Sequence, residues 1–219
     1  MSPLPPPSEV SVLIPAAGSG ERLGCGPKAL LPLAGRPLIE WVVDKARQLG
    51  SEVIVACAPG IAAPPGTLRV PGGATRQQSV QRLAEAAGRP WCVLWDAAYP
   101  FASLELARRV LAAAQPAGAA TACTPAEVPW LVLHEGRVAG AHAARDSARP
   151  QTPQAYATAL LRALAQRGER EGWIVQSSVE LFLHAGHDVR AVPGEKLNLK
   201  LTTPEDLVLA EALLPRLSS

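Results

Sequence analysis

Apolar runs of strand length alternate with helix-period patterns along nearly all of this 219-residue chain. Few folds accommodate that rhythm. It calls for a mostly parallel sheet with helical crossovers packed on both faces, an α/β architecture in one domain over residues 10–217. "VSVLI" at Val10–Ile14 is the first strand, and "GRPLIEWVVDKARQLG" then sets Leu38, Trp41, Val42, Ala46 and Leu49 on one helical face between Pro37 and Gly50. "EVIVACA", "TLRV" and "WCVLW" are further strands, Thr75 and Ser103 are N-cap candidates for the next two helices, and Ala119–Thr124 is another strand.

The rhythm breaks at residues 125–150, where short apolar pieces flank a turn at Glu135–Gly136. This segment is expected to project from the domain as a β-arm. The α/β pattern resumes after Pro153, with helices expected over Ala155–Arg167 and Ser178–Ala185, a strand at Val189–Pro193, the extended "LNLKLT", and a last helix opened by Pro204.

Composition removes several classes of function. A net charge of +2 without a basic stripe argues against nucleic acid as a partner. The leader "MSPLPPPSEV" has neither a basic n-region nor an apolar core, so residues 1–9 are expected to be a stiff, disordered lead-in and not a signal peptide or membrane span. Cys25, Cys57, Cys92 and Cys123 are scattered singly, with no zinc or redox spacing, and suit a reducing cytoplasm. The isolated histidines His134, His142, His184 and His187 are read as surface or cap residues.

The loop "PAAGSGERLGCGPK" follows the first strand and carries two cations, Arg22 and Lys28. It is not a dinucleotide fingerprint, because Leu23 stands where the third glycine belongs, and not a P-loop, because Lys28 lies between Pro27 and Ala29. What remains is a backbone able to curl around an anion, with two fixed charges, which suits a triphosphate. The plainer reading is a set of turn glycines beside solvated cations. Against it, "GGATRQQS" and the acid of "WDAAYP" also follow strand ends, where ligands of open parallel sheets bind.

Together "IPAAGSGERLG", "PKALLPLAGRPLIEW", "VPGGATRQQSV", "DAAYP", "QTPQAY" and "LKLTTPEDLVLAE" resemble the 2-C-methyl-D-erythritol 4-phosphate cytidylyltransferases over about Val10–Leu214. The resemblance implies a Rossmann-like nucleotidyltransferase sheet and transfer of CMP from CTP to the sugar phosphate, with release of pyrophosphate. It also implies a magnesium ion and a homodimer exchanging its β-arm. By matching position, Arg22 and Lys28 hold the triphosphate and stabilise the transition state. Ala16, Ala17, Gly18, Gly73 and Ser79 surround cytosine and ribose, Arg76 is the arginine of the second element, and Asp96 is the acid near ribose and metal. Lys200 is the lysine at the far side of the site. Arg145, supplied from a second copy, binds the acceptor phosphate, with Arg149 as the other candidate.

Departures from the family pattern gather on the acceptor side. Tyr99 stands in place of an arginine, Trp95 in place of a frequent histidine, Val128 and Pro129 in place of an Asp-Thr pair, and "WIVQSS" around Val175 lacks the usual acids. Another polyol phosphate such as ribitol 5-phosphate, or CTP binding without catalysis, are the competing expectations. Asp96 as a helix-capping acid and Lys200 as the outward residue of a strand are the plainer readings of those two positions.

Overall fold

The computed structural model describes residues 4–18, 20 and 26–216; Arg22 and Cys25 lie outside the described residues. Strand β1 (Val10–Ala16) is the axis of the fold, and the short β2 (Pro32–Leu33) and β3 (Arg36–Pro37) form a small hairpin ahead of helix α1 (Leu38–Leu49). There follow β4 (Glu52–Cys57), β5 (Leu68–Pro71), α2 (Arg76–Ala86), β6 (Trp91–Leu94), α3 (Leu104–Ala114) and β7 (Ala119–Pro125). After an exposed hairpin of β8 (Trp130–His134) and β9 (Arg137–His142) come β10 (Ala148–Ala157), α4 (Thr158–Arg170), α5 (Ser178–His184), β11 (Arg190–Pro193) and α6 (Pro204–Leu213). The seven-stranded sheet has the order β11-β7-β10-β6-β1-β4-β5.

β1 pairs in parallel with β4 on one side and β6 on the other, Val12 lying opposite Val53 and Val93. Both faces of this strand are covered, which is why it has no polar alternation. Val10, Val12, Ile14 and Ala16 pack with residues of α1 and α3, whereas Leu13 packs with residues of α2, α4 and α5. Truncating a fully buried leucine such as Leu13 costs about 2–5 kcal/mol by lost transfer energy and cavity formation.

Local signals set the helix ends. Thr75 and Ser103 accept N-cap hydrogen bonds from the N–H groups of Gln78 and Leu106, and Gly50 ends α1. Thr203 and Asp206 form a reciprocal capping box ahead of α6, with Pro204 at its start. Among the described residues, no helix is long and apolar enough to cross a membrane.

Two expectations need correction. Ala155–Ala157 belong to β10 and not to a helix, since the strand runs to Ala157 and lies antiparallel between β6 and β7. Its apolar signal is masked by Gln151, Thr152 and Gln154, all buried, whose polar groups are met by hydrogen bonds across the fold. The lead-in is partly ordered: Pro7–Glu9 form a 3-10 turn, and the Pro7 carbonyl accepts from the Ser51 N–H at 2.8 Å. Residues 197–202, read as an extended segment, join no sheet.

Candidate active site

Three strand ends converge on one cleft of about 500 Å³. The first wall comes from the C-terminal end of β1 and the loop beyond it, through Ala16, Ala17 and Gly18. Lys28 enters from a 3-10 turn, Lys28–Leu30, and its N–H donates to the Gly18 carbonyl at 3.3 Å.

The second wall is the turn between β5 and α2. A side chain at Gly72 would collide with the Ala17 methyl group, and one at Gly73 with the start of α2, so glycine here lets two loops touch. Ser79 Oγ accepts from the Gly73 N–H at 3.0 Å and donates to the Thr75 carbonyl at 3.0 Å. Its hydroxyl is therefore spent on shaping the turn that carries Gly73. Arg82 Nη1 donates to the Gly72 carbonyl at 2.7 Å and ties the same turn to the helix.

Asp96 closes the third side, two residues beyond β6, and does not cap a helix. Its Oδ1 accepts from Arg76 Nη2 at 3.0 Å and its Oδ2 from Lys200 Nζ at 3.5 Å. Burial pushes the Asp96 carboxyl up, but the two cations outweigh that push and hold it below the usual aspartate value. The same carboxylate raises the Arg76 guanidinium against the opposing effect of burial. Among the described residues lining the cleft, Lys28, Arg76 and Lys200 outnumber the one acid, Asp96, a balance suited to a polyanion.

Lys200 reaches the cleft because its neighbour is anchored. Leu201 is fully buried against Leu31, Leu33 and Phe101, and its N–H donates to the Ala98 carbonyl at 2.9 Å. Alternation along the extended segment then sends Lys200 the opposite way. It is not an outward residue of a sheet strand.

Arg145 lies elsewhere. It sits in a 3-10 turn after β9, its side chain is 86% exposed, and it pairs with Asp146 at 3.4 Å. Arg149 lines a second cavity of about 690 Å³ near the base of the hairpin, beside Trp130 and Lys196. Neither arginine lines the first cleft. Tyr99 and Trp95 are buried behind it and do not line it.

Sequence reasoning missed the residues that hold the cleft from beneath. Lys45 is a half-buried ammonium of α1 that donates to the carbonyls of Pro100 at 2.8 Å and Ala102 at 2.9 Å, bracing the segment after Asp96. Burial lowers its pKa, partly offset by Glu195. The Asp96 N–H donates to Thr152 Oγ1 at 3.1 Å, the Thr152 carbonyl accepts from Asn198 Nδ2 at 2.9 Å, and Gln151 Nε2 donates to the Asn198 carbonyl at 3.0 Å. For Gln151 and Thr152 the signal was compositional: an amide and a threonine set between Pro150 and Pro153.

Comparison with known proteins agrees with this geometry. The model of the IspD family, 2-C-methyl-D-erythritol 4-phosphate cytidylyltransferase, matches residues 10–216. The enzyme of that name from Thermus thermophilus is 48% identical over 210 residues, covering 94% of this chain and 97% of that relative. The one from Deinococcus radiodurans is 40% identical over 206 residues, covering 93% and 88%. Among solved structures, the Thermus thermophilus cytidylyltransferase superposes with a TM-score of 0.84 at 41% identity, covering 94% of this chain and 99% of that one. The 4-diphosphocytidyl-2C-methyl-D-erythritol synthase of Anaerococcus prevotii gives 0.82 at 25% identity, covering 96% and 100%. With its matched motifs carried on the strand ends of such a sheet, the chain belongs to the 2-C-methyl-D-erythritol 4-phosphate cytidylyltransferase family.

Proposed function

We propose that the protein transfers CMP from CTP to 2-C-methyl-D-erythritol 4-phosphate, giving 4-diphosphocytidyl-2-C-methyl-D-erythritol and pyrophosphate. The observation that carries this reading is the convergence of Lys28, Arg76 and Lys200 around Asp96 on one cleft, in a chain of this family.

An oxygen of the acceptor phosphate attacks the α-phosphorus in line, the bond from that phosphorus to the α,β-bridging oxygen breaks, and pyrophosphate leaves. Negative charge grows on the non-bridging and departing oxygens. No covalent enzyme intermediate is needed, so positioning and fixed charge carry the catalysis. Lys28 and Arg22 bracket the triphosphate, an ammonium as a compact charge and a guanidinium as a fork. The backbone at Ala16, Ala17, Gly18 and Gly73 surrounds cytosine and ribose, with Ser79 acting through the turn it shapes. Lys200 meets phosphate from the far side, steered by Asp96, while Arg76 supplies the second counter-charge to that acid.

The residues present fit a magnesium ion. Asp96 is the one acid among the described residues lining the cleft, and each carboxylate oxygen keeps acceptor capacity beyond its cation partner. A metal that retains water and phosphate oxygens needs few protein ligands, so Asp96 would hold it together with the triphosphate. When bound, such an ion neutralises phosphate charge.

Arg145 completes the acceptor site from a second copy of the chain, and the hairpin is the dimer contact. This is supported by the apolar side chains that hairpin exposes and by Arg145 not being among the residues that line its own cleft. The test is an acceptor panel with CTP and magnesium. Pyrophosphate release with 2-C-methyl-D-erythritol 4-phosphate is expected. Release only with another acceptor such as ribitol 5-phosphate, or calorimetric binding of CTP with no acceptor turned over, would overturn the reading.

A further inference from the structure

Tyr99 does not line the cleft, yet it touches a side chain that does. Lys200 Nζ lies 5.5 Å from the centroid of the Tyr99 ring, within the range of a cation–π contact. The other contact of that ammonium, Asp96 Oδ2 at 3.5 Å, is at the long limit of a hydrogen bond. A carboxylate at that distance leaves the direction of a flexible lysine poorly defined. The ring supplies the missing restraint.

The ring is itself buried, on a residue hydrogen-bonded at both side chain and backbone. The Tyr99 hydroxyl donates to the Pro150 carbonyl at 3.3 Å, its N–H donates to the Asp96 carbonyl at 3.0 Å, and its carbonyl accepts from Trp95 Nε1 at 3.3 Å. Burial, reinforced by the Asp96 charge, pushes the phenol up to about 12, so the ring stays neutral under working conditions. A short turn thus binds Asp96 and Tyr99 into one rigid unit, and Lys200 rests against both.

We infer that Tyr99 is a positioning residue for Lys200: its anchored ring is a platform that holds the ammonium beside Asp96 and directs it into the cleft. An ammonium has three donors, and a carboxylate on one side and an aromatic face on another leave donor capacity for a phosphate oxygen. The inference rests on the reading that Lys200 meets a substrate phosphate.

The test separates ring electrostatics from packing. Starting from Tyr99→Phe, phenylalanines carrying increasing numbers of fluorines are placed at position 99, which weakens the negative face of the ring while nearly keeping its shape. We expect kcat/KM for the acceptor to fall stepwise, about tenfold across the series, with little change in melting temperature. In parallel, protein labelled at lysine Cε is followed by NMR, with Lys200 assigned through Lys200→Arg. Its Hε signal is expected upfield of the random-coil position in the wild type and in Tyr99→Phe, and at that position in Tyr99→Leu. A flat fluorine series in an active enzyme, or an unshifted Lys200 signal in the wild type, overturns the inference. Absence of pyrophosphate release by the wild type overturns the proposed function instead, and the NMR signal still decides whether the platform exists.

Discussion

Arg76 Nη2 lies 3.0 Å from Asp96 Oδ1, so the first turn of α2 and the segment after β6 are joined by a charged hydrogen bond at the cleft wall. The other oxygen of Asp96 takes Lys200. One buried acid therefore organises two cations from distant parts of the chain, and its own charge is retained because both face it.

Replacing that acid tests the arrangement. Asp96→Asn leaves both cations without a counter-charge and is expected to lower kcat by about a hundredfold, as loss of an organising charge at a reacting centre does. Its effect on stability carries a definite sign. The folded-state pKa of Asp96 is depressed, so its contribution is present above the unfolded aspartate value of about 3.9 and is lost as pH falls through the folded value. Urea unfolding is expected to show wild type above the variant at neutral pH, with the gap narrowing in acid.

Gln151 is the second target. Its Nε2 donates to the carbonyls of Glu195 and Asn198, and its Oε1 accepts from the Glu195 N–H at 3.1 Å. Gln151→Ala strands buried backbone groups and frees the segment leading to Lys200. A loss of about 3 kcal/mol in chemical denaturation is expected, together with a drop in kcat.

Both tyrosines are expected to resist ionisation. Burial is the first cause at each, raising Tyr99 to about 12 and Tyr156 well above the ordinary phenol value. A raised pKa means stability that is intact below about pH 10 and lost as pH climbs through the folded value. Phenolate absorbance should therefore be absent at pH 10, where a free phenol is half ionised, and appear together with loss of circular dichroism at higher pH.

The hairpin exposes Leu131, Leu133 and Val138, each more than half accessible. Leu131→Asp with Leu133→Asp is expected to yield a monomer by light scattering, with activity lost if Arg145 must come from a second copy. Mixing Arg145→Ala with Lys28→Ala protein should then recover activity, because one site of each mixed dimer carries both wild-type residues. No recovery on mixing freely exchanging dimers would place Arg145 outside the reaction.

Several features were legible in the sequence because their causes are local. Thr75, Ser103 and Pro204 act within one helical turn, and the helix starts they imply are the ones observed. β10 was not legible, because a strand buried with Gln151, Thr152 and Gln154 has no apolar period to detect. The sequence also placed Lys200 in an ambiguous alternating run, and only the anchoring of Leu201 tells which way it turns.

By itself, then, the sequence determined the α/β class, the starts of several helices and the family, since periodicity and motif order survive without knowledge of contacts. Tertiary structure decided which side chains share a charge. Lys200 and Asp96 are 104 residues apart, and whether they meet depends on the order in which β6 and β10 join the sheet and on the hydrogen bonds of Gln151, Thr152 and Asn198 beneath them. Electrostatic coupling falls off over a few ångströms, so only the folded chain can specify it.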